Sequence, residues 1–259
     1  MPRSRFDDKS VLVTGAGSGI GRETALLFAA RGATLFLCDV DESGLTETAH
    51  DARRSGGEVH AHVVDVSRRD AMSAFAAAVH EKVTALDVLV NNAGVGLSGG
   101  VLDTDLEDWD WVISINLWGV IHGLHYFVPP MVRRKKGGHV VNVASAAGFM
   151  ATPDMAAYGT TKYAVVGLSE ALRGELLPHG IGVSVICPGI VNTAIVKTAR
   201  LKGSGMTRDD LIDLYKRRNY GPEKVASAIL GAAWYCAPPA SSLPPGVHSS
   251  FPTASKCWP

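Results

Sequence analysis

Residues 11–28 read VLVTGAGSGIGRETALLF: an apolar, strand-like run breaks into glycines at 15, 17, 19 and 21 and resumes with helix formers. A strand that turns through glycines into a helix aims backbone N–H groups at the space before a positive helix N-terminus. Where side chains are missing, a pyrophosphate can approach closely. The strict G-x-G-x-x-G spacing fails, because counting from Gly15, Gly17 or Gly19 the third position holds Ile20, Arg22 or Thr24. What remains is G-x-x-x-G-x-G, from Gly15, Gly19 and Gly21, with Ser18 and Ile20 inside it. These five residues are the candidate phosphate cradle.

Working outward, short β-rich runs alternate with longer helical stretches. Strands are expected at 10–14, 33–39, 58–64, 86–92, 138–145 and 182–188, and helices at 19–31, 42–55, 68–83, 105–132 and 156–177. Strands that are apolar almost throughout are buried on both faces, so the pattern predicts an α/β fold with a doubly wound parallel sheet, Rossmann-like and in a single domain. Ligands of such sheets bind outside the carboxyl ends of the strands. The pattern loosens over 188–220, which reads as a lid with a short helix near 207–218, and Pro222 opens a final helix to about 235. The domain is expected to span 1–235. Residues 236–259, rich in proline and serine and without periodicity, read as an irregular tail.

Composition excludes several classes. Lys+Arg and Asp+Glu both total 25, so nothing draws the chain broadly to nucleic acid. The basic run 133–136 precedes two glycines and reads as a solvated helix end. Four cysteines without paired spacing suggest neither zinc nor disulfides, and the charged N-terminus lacks an apolar signal core, so a cytoplasmic location is expected. Residues 111–132 carry no Asp, Glu, Lys or Arg, but Asn116, two histidines and Pro129-Pro130 favour a buried helix over a membrane span. His60 with His62, and His122 with His125, lack a third ligand at suitable spacing, so no metal is expected.

Asp39 ends the second strand, 18 residues after Gly21, where a carboxylate can accept hydrogen bonds from an adenosine ribose and repel a 2′-phosphate. NAD is therefore favoured over NADP, with Arg22 the one nearby cation. Asp65 and Val66, closing the third strand, are placed to meet the adenine.

Ser145 ends the fifth strand, and Tyr158 and Lys162 lie one turn apart on the helix that follows. Oxidising an alcohol by hydride transfer requires removal of the hydroxyl proton, and free tyrosine, with a pKa of about 10, is a poor base near neutrality. A lysine ammonium about 4 Å away is worth roughly 4 kcal/mol at an effective dielectric of 20, about three pKa units. The expectation is a phenol brought near 7 by Lys162, with Ser145 holding the substrate oxygen. Tyr220 and Lys224 have the same spacing, but Pro222 lies between them and no nucleotide motif accompanies them. Phe149, Met150, Pro153 and Met155 read either as core or as an apolar wall of the substrate pocket.

TGAGSGIG (14–21), NNAG (91–94), INLWG (115–119), Ser145, YGTTK (158–162) and PGIVNT (188–193) together resemble the short-chain dehydrogenase/reductase family over residues 8–235. The resemblance implies that Asn116, kinking its helix to hold a proton-relaying water, joins Ser145, Tyr158 and Lys162 in a catalytic tetrad. It implies that Asn91, Ala93 and Gly94 support or contact the cofactor, and that the segment of Pro188, Gly189, Ile190 and Thr193 binds its carboxamide end. It also implies a second task for Lys162, on the nicotinamide ribose, and a homodimer or homotetramer through the 105–132 and 156–177 helices. Residues 236–259 depart from the family's closing strand, which leaves a disordered segment, a partner-binding arm or an altered reading frame as readings. The expected function interconverts a secondary alcohol and a ketone, with an apolar substrate favoured. The alternatives are a non-redox epimerase or lyase on the same scaffold and a dinucleotide-sensing binding protein.

Overall fold

The computed structural model describes residues 6–150, 152–203 and 207–234; the tail expected at 236–259 lies outside them. Six parallel strands form one sheet: β1 (Ser10–Thr14), β2 (Thr34–Asp39), β3 (Val59–Val63), β4 (Val88–Asn91), β6 (Gly138–Val143) and β7 (Ile181–Ile186). Their order is β3-β2-β1-β4-β6-β7, so the chain reverses direction across the sheet at β1 and β4, and a crevice opens between those strand ends. Two further strands, β5 (Leu97–Ser98) and β8 (Arg200–Leu201), pair parallel in a separate ribbon that the sequence did not announce.

The strand alternation feeds two cores. Val11, Val13, Leu35, Leu37, Val88, Val90 and Val141 point to one face, beneath α1 (Gly19–Ala29), α2 (Glu42–Arg54) and α9 (Pro222–Trp234). Leu12, Phe36, Cys38, Leu89 and Val140 point to the other, beneath α3 (Arg69–Lys82), α5 (Gly119–Arg134) and α6 (Ala156–Leu176). Period-two side chains with apolar residues at both parities require helices on both sides, which makes the sheet doubly wound.

The expected 105–132 helix divides into α4 (Leu106–Ile113), a π-helical turn at Ser114–Trp118, and α5. By length and composition the continuous stretch Leu106–Arg134 could cross a membrane. Here its residues Val120, Leu124, Phe127, Val128 and Met131 are built into the second core. The basic run ends α5, with Lys135 in the left-handed region at φ 56°. Arg134 differs from the expected solvated end: it lies 3.1 Å from Asp87 and donates to the Ala85 and Gly137 carbonyls.

A buried polar chain ties the sheet to α6. Asn91 Nδ2 donates to Asn142 Oδ1 at 2.8 Å, Asn142 Nδ2 donates to Ser169 Oγ at 2.9 Å, and Ser169 donates to the Val165 carbonyl at 2.7 Å. Buried amides are costly unless paired, so this chain fixes the helix that carries Tyr158 and Lys162 against β6.

Candidate active site

The chemistry-bearing side chains converge on one cleft of about 1240 Å³ at the carboxyl ends of the strands. Gly15, Ser18, Gly19 and Ile20 form its floor beside β1. Gly15 has φ +66°, and a Cβ there would lie 2.7 Å from Ala93 Cα, so any other residue would push the β1 and β4 ends apart. Gly21 differs from its expected role. It faces away from the cleft, where a Cβ would collide with the Gly15 carbonyl, so its part is to let α1 start against the loop. The N-cap Ser18 is extended and its side chain makes no capping hydrogen bond. First-turn N–H groups without a side-chain cap, beside glycines, fit a bound diphosphate.

Two residues behind this loop were not singled out from sequence. Thr14 Oγ1 accepts from the N–H groups of Asn92 and Ala93, both at 3.0 Å, while Asn92 Nδ2 donates to the carbonyls of Thr14 at 2.9 Å and Gly15 at 3.1 Å. They rivet the two strand ends at the crevice. The available signal was a polar residue closing each of two apolar strands.

Asp39 lines the cleft, accepting from Gly17 N at 2.7 Å and Asp41 N at 2.9 Å. Arg22 is committed elsewhere, 2.8 Å from Asp51 and 3.3 Å from Glu47. Asp65 and Val66 line the same end. Asp65 accepts from the Ser67 N–H and hydroxyl, and the Val66 carbonyl lies 2.8 Å from His122 Nδ1. Ala93, Gly94, Pro188, Gly189, Ile190 and Thr193 form the middle of the cleft. Asn91 is buried behind it and donates to Asn142, which is also outside the cleft lining.

Ser145, Tyr158 and Lys162 face the cleft together. Ser145 Oγ accepts from Ala147 N at 3.2 Å, and its hydroxyl donates to the Pro188 carbonyl at 3.5 Å. Lys162 Nζ donates to the Val143 carbonyl at 3.2 Å and lies 5.6 Å from the Tyr158 ring centre. Asn116 sits within the π turn, whose extra residue per turn turns its carboxamide inward. It does not line the cleft; it clasps Val95, which does.

The electrostatics differ from the expectation of a phenol lowered by its lysine. Burial pushes Tyr158 up to about 12, with Ser145 opposing it. Burial pushes Lys162 down to about 8, and nearby Cys187 acts in the opposite sense. Loss of hydration is the largest influence on both groups, disfavouring the charged form of each. The Tyr220–Lys224 pair is the informative contrast: its ammonium lies 4.9 Å from the ring centre, nearer than in the buried pair, despite the intervening proline. Contact between Tyr and Lys does not make this site; Lys162 is buried and lines the cleft with Tyr158, whereas Lys224 is exposed outside it.

Met150, Pro153 and Met155 line the cleft with Thr152 and Asp154 between them, so those three are wall and not core, while Phe149 is exposed outside it. Over 188–220 the chain forms α7 (Ile195–Thr198), β8 and α8 (Arg208–Arg218). Arg208 donates to the carbonyls of Val196 at 2.7 Å, Lys197 at 2.6 Å and Ala199 at 2.9 Å, fixing the start of α8 on the end of α7. From α8, Leu211, Leu214 and Tyr215 face the cleft. Among the described residues, no group of three His, Cys, Asp or Glu side chains could hold a metal ion.

Comparison with known proteins gives the same placement. The family model described as short chain dehydrogenase matches residues 9–203. EphD of Mycobacterium tuberculosis, named a probable oxidoreductase, is 43% identical over 239 residues; the match covers 89% of this chain but 40% of the relative, so the chain spans less than half of that protein. The 3-oxoacyl-[acyl-carrier-protein] reductase FabG of Thermotoga maritima is 34% identical over 227 residues, covering 87% of this chain and 90% of the relative. A short chain dehydrogenase/reductase from Burkholderia phymatum, solved in complex with NAD, superposes with a TM-score of 0.81 at 36% identity, covering 90% of this chain and 88% of that one. With a family match over most of its length, a sheet that reverses at β1 and β4, and Ser145, Tyr158 and Lys162 in one cleft, the chain belongs to the short chain dehydrogenase family.

Proposed function

We propose that this cleft binds NAD(H) and interconverts a secondary alcohol and its ketone, with Tyr158 as the acid/base. The observation that carries the reading is the convergence of Ser145, Tyr158 and Lys162 beside a glycine loop whose helix N-terminus lacks a side-chain cap. Bound there, the dinucleotide would accept or donate the hydride. Gly15, Ser18, Gly19 and Ile20 would hold its diphosphate, Asp39 its adenosine ribose, Asp65 and Val66 its adenine. Ala93, Gly94 and the 188–193 segment would hold the nicotinamide half.

Ser145 orients the substrate oxygen, and the hydroxyl proton passes to Tyr158 Oη as the carbon-bound hydrogen leaves as hydride. In reduction Tyr158 returns that proton. With the phenol high in the cofactor-free protein, the donor role in reduction requires no prior ionisation, whereas oxidation requires positive charge close to Tyr158. Lys162, whose ammonium is within reach of the ring, is the chain's own source of that charge.

NAD is preferred because Asp39 faces the ribose end and Arg22 is held by Asp51 and Glu47, which leaves that guanidinium poorly placed to compensate a 2′-phosphate. Met150, Pro153 and Met155 in the cleft wall favour an apolar substrate. Exposed Trp118 and Tyr163, on the helices expected to pair, support a homodimer. The test supplies NAD with lipophilic secondary alcohols, and NADH with the matching ketones, while NADH absorbance is followed. Turnover that Tyr158→Phe abolishes supports the reading, and a Tyr158→Phe variant as active as the parent overturns it.

A further inference from the structure

The cleft carries an excess of negative charge for a site that would take up a doubly charged diphosphate. Among the described residues that line it, five aspartates stand against two cations, Lys162 and Arg218. Lys162 is buried beside Tyr158 and donates to the Val143 carbonyl. Arg218 is exposed, and among the described residues its guanidinium has no hydrogen bond or ion pair. Two other arginines near the same segments are already engaged: Arg22 with Asp51 and Glu47, and Arg208 with three carbonyls at the end of α7.

The fold brings Arg218 to the phosphate end of the cleft. It is the last residue of α8, in the stripe that carries Leu211, Leu214 and Tyr215 to the cleft at helical spacings of three, four and seven residues. Lys216 and Arg217, in the same last turn, do not line the cleft. Just beyond the helix, the Tyr220 carbonyl accepts the Asn192 N–H at 2.9 Å. Thr193, next in the chain, lies against the glycine loop: a Cβ on Gly19 would stand 3.1 Å from Thr193 Cβ and Cγ2. Tyr220 and Ile20 pack against the same core. The end of α8 is thus tied through Asn192 and Thr193 to Gly19, where α1 starts without a side-chain cap. Two residues of chain span at most about 7 Å, so Arg218 stands no further than that from the tie at Tyr220, and its long side chain covers the difference.

We infer that Arg218 is a cofactor-binding residue that reaches from α8 to pair with the diphosphate of the dinucleotide at the glycine loop. The loop itself supplies neutral N–H donors and the partial charge of a helix end. Arg218 adds a full positive charge and a planar fork of donors that matches phosphate oxygens. It forms this pair without first breaking another. The inference rests on the NAD(H) reading and adds to it a cation from outside the glycine motif.

The test titrates NADH, followed by its fluorescence, into the parent, Arg218→Gln and Arg217→Gln. ADP-ribose serves as a competing ligand that carries the diphosphate and lacks the nicotinamide. Arg218→Gln is expected to raise the dissociation constants of NADH and ADP-ribose alike by about fivefold at low salt, the upper range for an ion pair that water still reaches, and the gap to the parent should close as salt is added. Arg217→Gln removes the same charge from the same helix end, so it controls for general electrostatics and should bind as the parent does. An unchanged NADH affinity in Arg218→Gln, an equal loss in Arg217→Gln, a loss on NADH without one on ADP-ribose, or a larger loss on NADPH than on NADH would each overturn the inference and leave the oxidoreductase reading intact. A parent that binds neither NADH nor NADPH would overturn that reading and this inference with it.

Discussion

Asn116 closes its carboxamide on the backbone of Val95: Oδ1 accepts the Val95 N–H at 2.8 Å and Nδ2 donates to the Val95 carbonyl at 3.0 Å. The clasp joins the π turn to the cleft wall just beyond β4, and Gly94 next to it has room for little more, since a Cβ there would stand 3.2 Å from Asn116 Oδ1 and 3.5 Å from Lys162 Nζ. Asn116→Leu leaves both Val95 groups without their partner. Unfolding in urea is expected to show a loss of about 1–3 kcal/mol. Asn116→Asp restores only the acceptor half, and turnover is expected to fall in both variants because Val95 shapes the site.

The shift at Lys162 has a definite sign. Its pKa falls from 10.5 to about 8 on folding, so between those values the unfolded chain binds more protons and stability rises with pH. Each pH unit across the window adds up to about 1.4 kcal/mol from this group. Tyr158 acts oppositely and later: its pKa rises from 10.0 to about 12, so its contribution falls away as pH rises above 10. Urea unfolding between pH 8 and 10 is expected to show a rising limb in the parent that Lys162→Met lacks. An equal slope in the variant would mean that the ammonium is hydrated in the folded protein.

Cofactor choice is expected to turn on Asp39. Asp39 accepts two backbone N–H groups, so it is already held where a ribose hydroxyl or a 2′-phosphate would arrive. Asp39→Ser keeps a small polar side chain and removes the charge. The ratio of kcat/KM with NADPH to that with NADH is expected to rise at least about tenfold, corresponding to about 1.4 kcal/mol of relieved repulsion. Removing the ion pairs of Arg22 with Glu47→Gln and Asp51→Asn in the Asp39→Ser background is expected to raise it further.

The sheet was legible because its strands are apolar at both parities, and β1 was placed to the residue. What was missed is what sequence encodes only through contact. The two-residue strands β5 and β8 are too short to alternate; they exist because Leu97 and Ser98 meet Arg200 and Leu201 across a gap of about a hundred residues. The site residues could be placed on one edge, since motifs at strand ends must meet there. Their electrostatics could not, because Coulomb attraction depends on spacing while desolvation depends on burial, and burial of Tyr158 and Lys162 is a property of the whole fold. Tyr215 escaped notice for a related reason: α8 is polar overall, and only its docking on α7 shows which face matters.

The chain between α7 and α8 is held by a buried carboxylate. Asp108, 2% exposed, lies 2.8 Å from Arg200 Nη1 and 2.7 Å from Lys202 Nζ, the two cations that flank Leu201 on and just beyond β8, and the Arg200 guanidinium lies 4.1 Å from the Trp111 ring centre. Burial pushes the Asp108 carboxyl upward, but the hydrogen bonds from Lys202 and Arg200 outweigh it and hold the group below its ordinary value of 3.8. A lowered carboxylate stabilises the fold above its unfolded pKa, and the contribution is lost as pH falls through the folded one. Asp108→Asn is therefore expected to be less stable than the parent at pH 7, with the difference shrinking below pH 3.8 as the parent's own carboxyl takes up its proton. Arg200 and Lys202 are 40% and 35% exposed and can rehydrate, so the loss at pH 7 should be nearer 1 than 4 kcal/mol. Since β8 carries Leu201 to the cleft, KM for the ketone should rise in the variant while the dissociation constant for NADH stays unchanged. A variant that weakens NADH binding as much as ketone binding would show that the ion pairs support the fold as a whole and not this wall of the cleft.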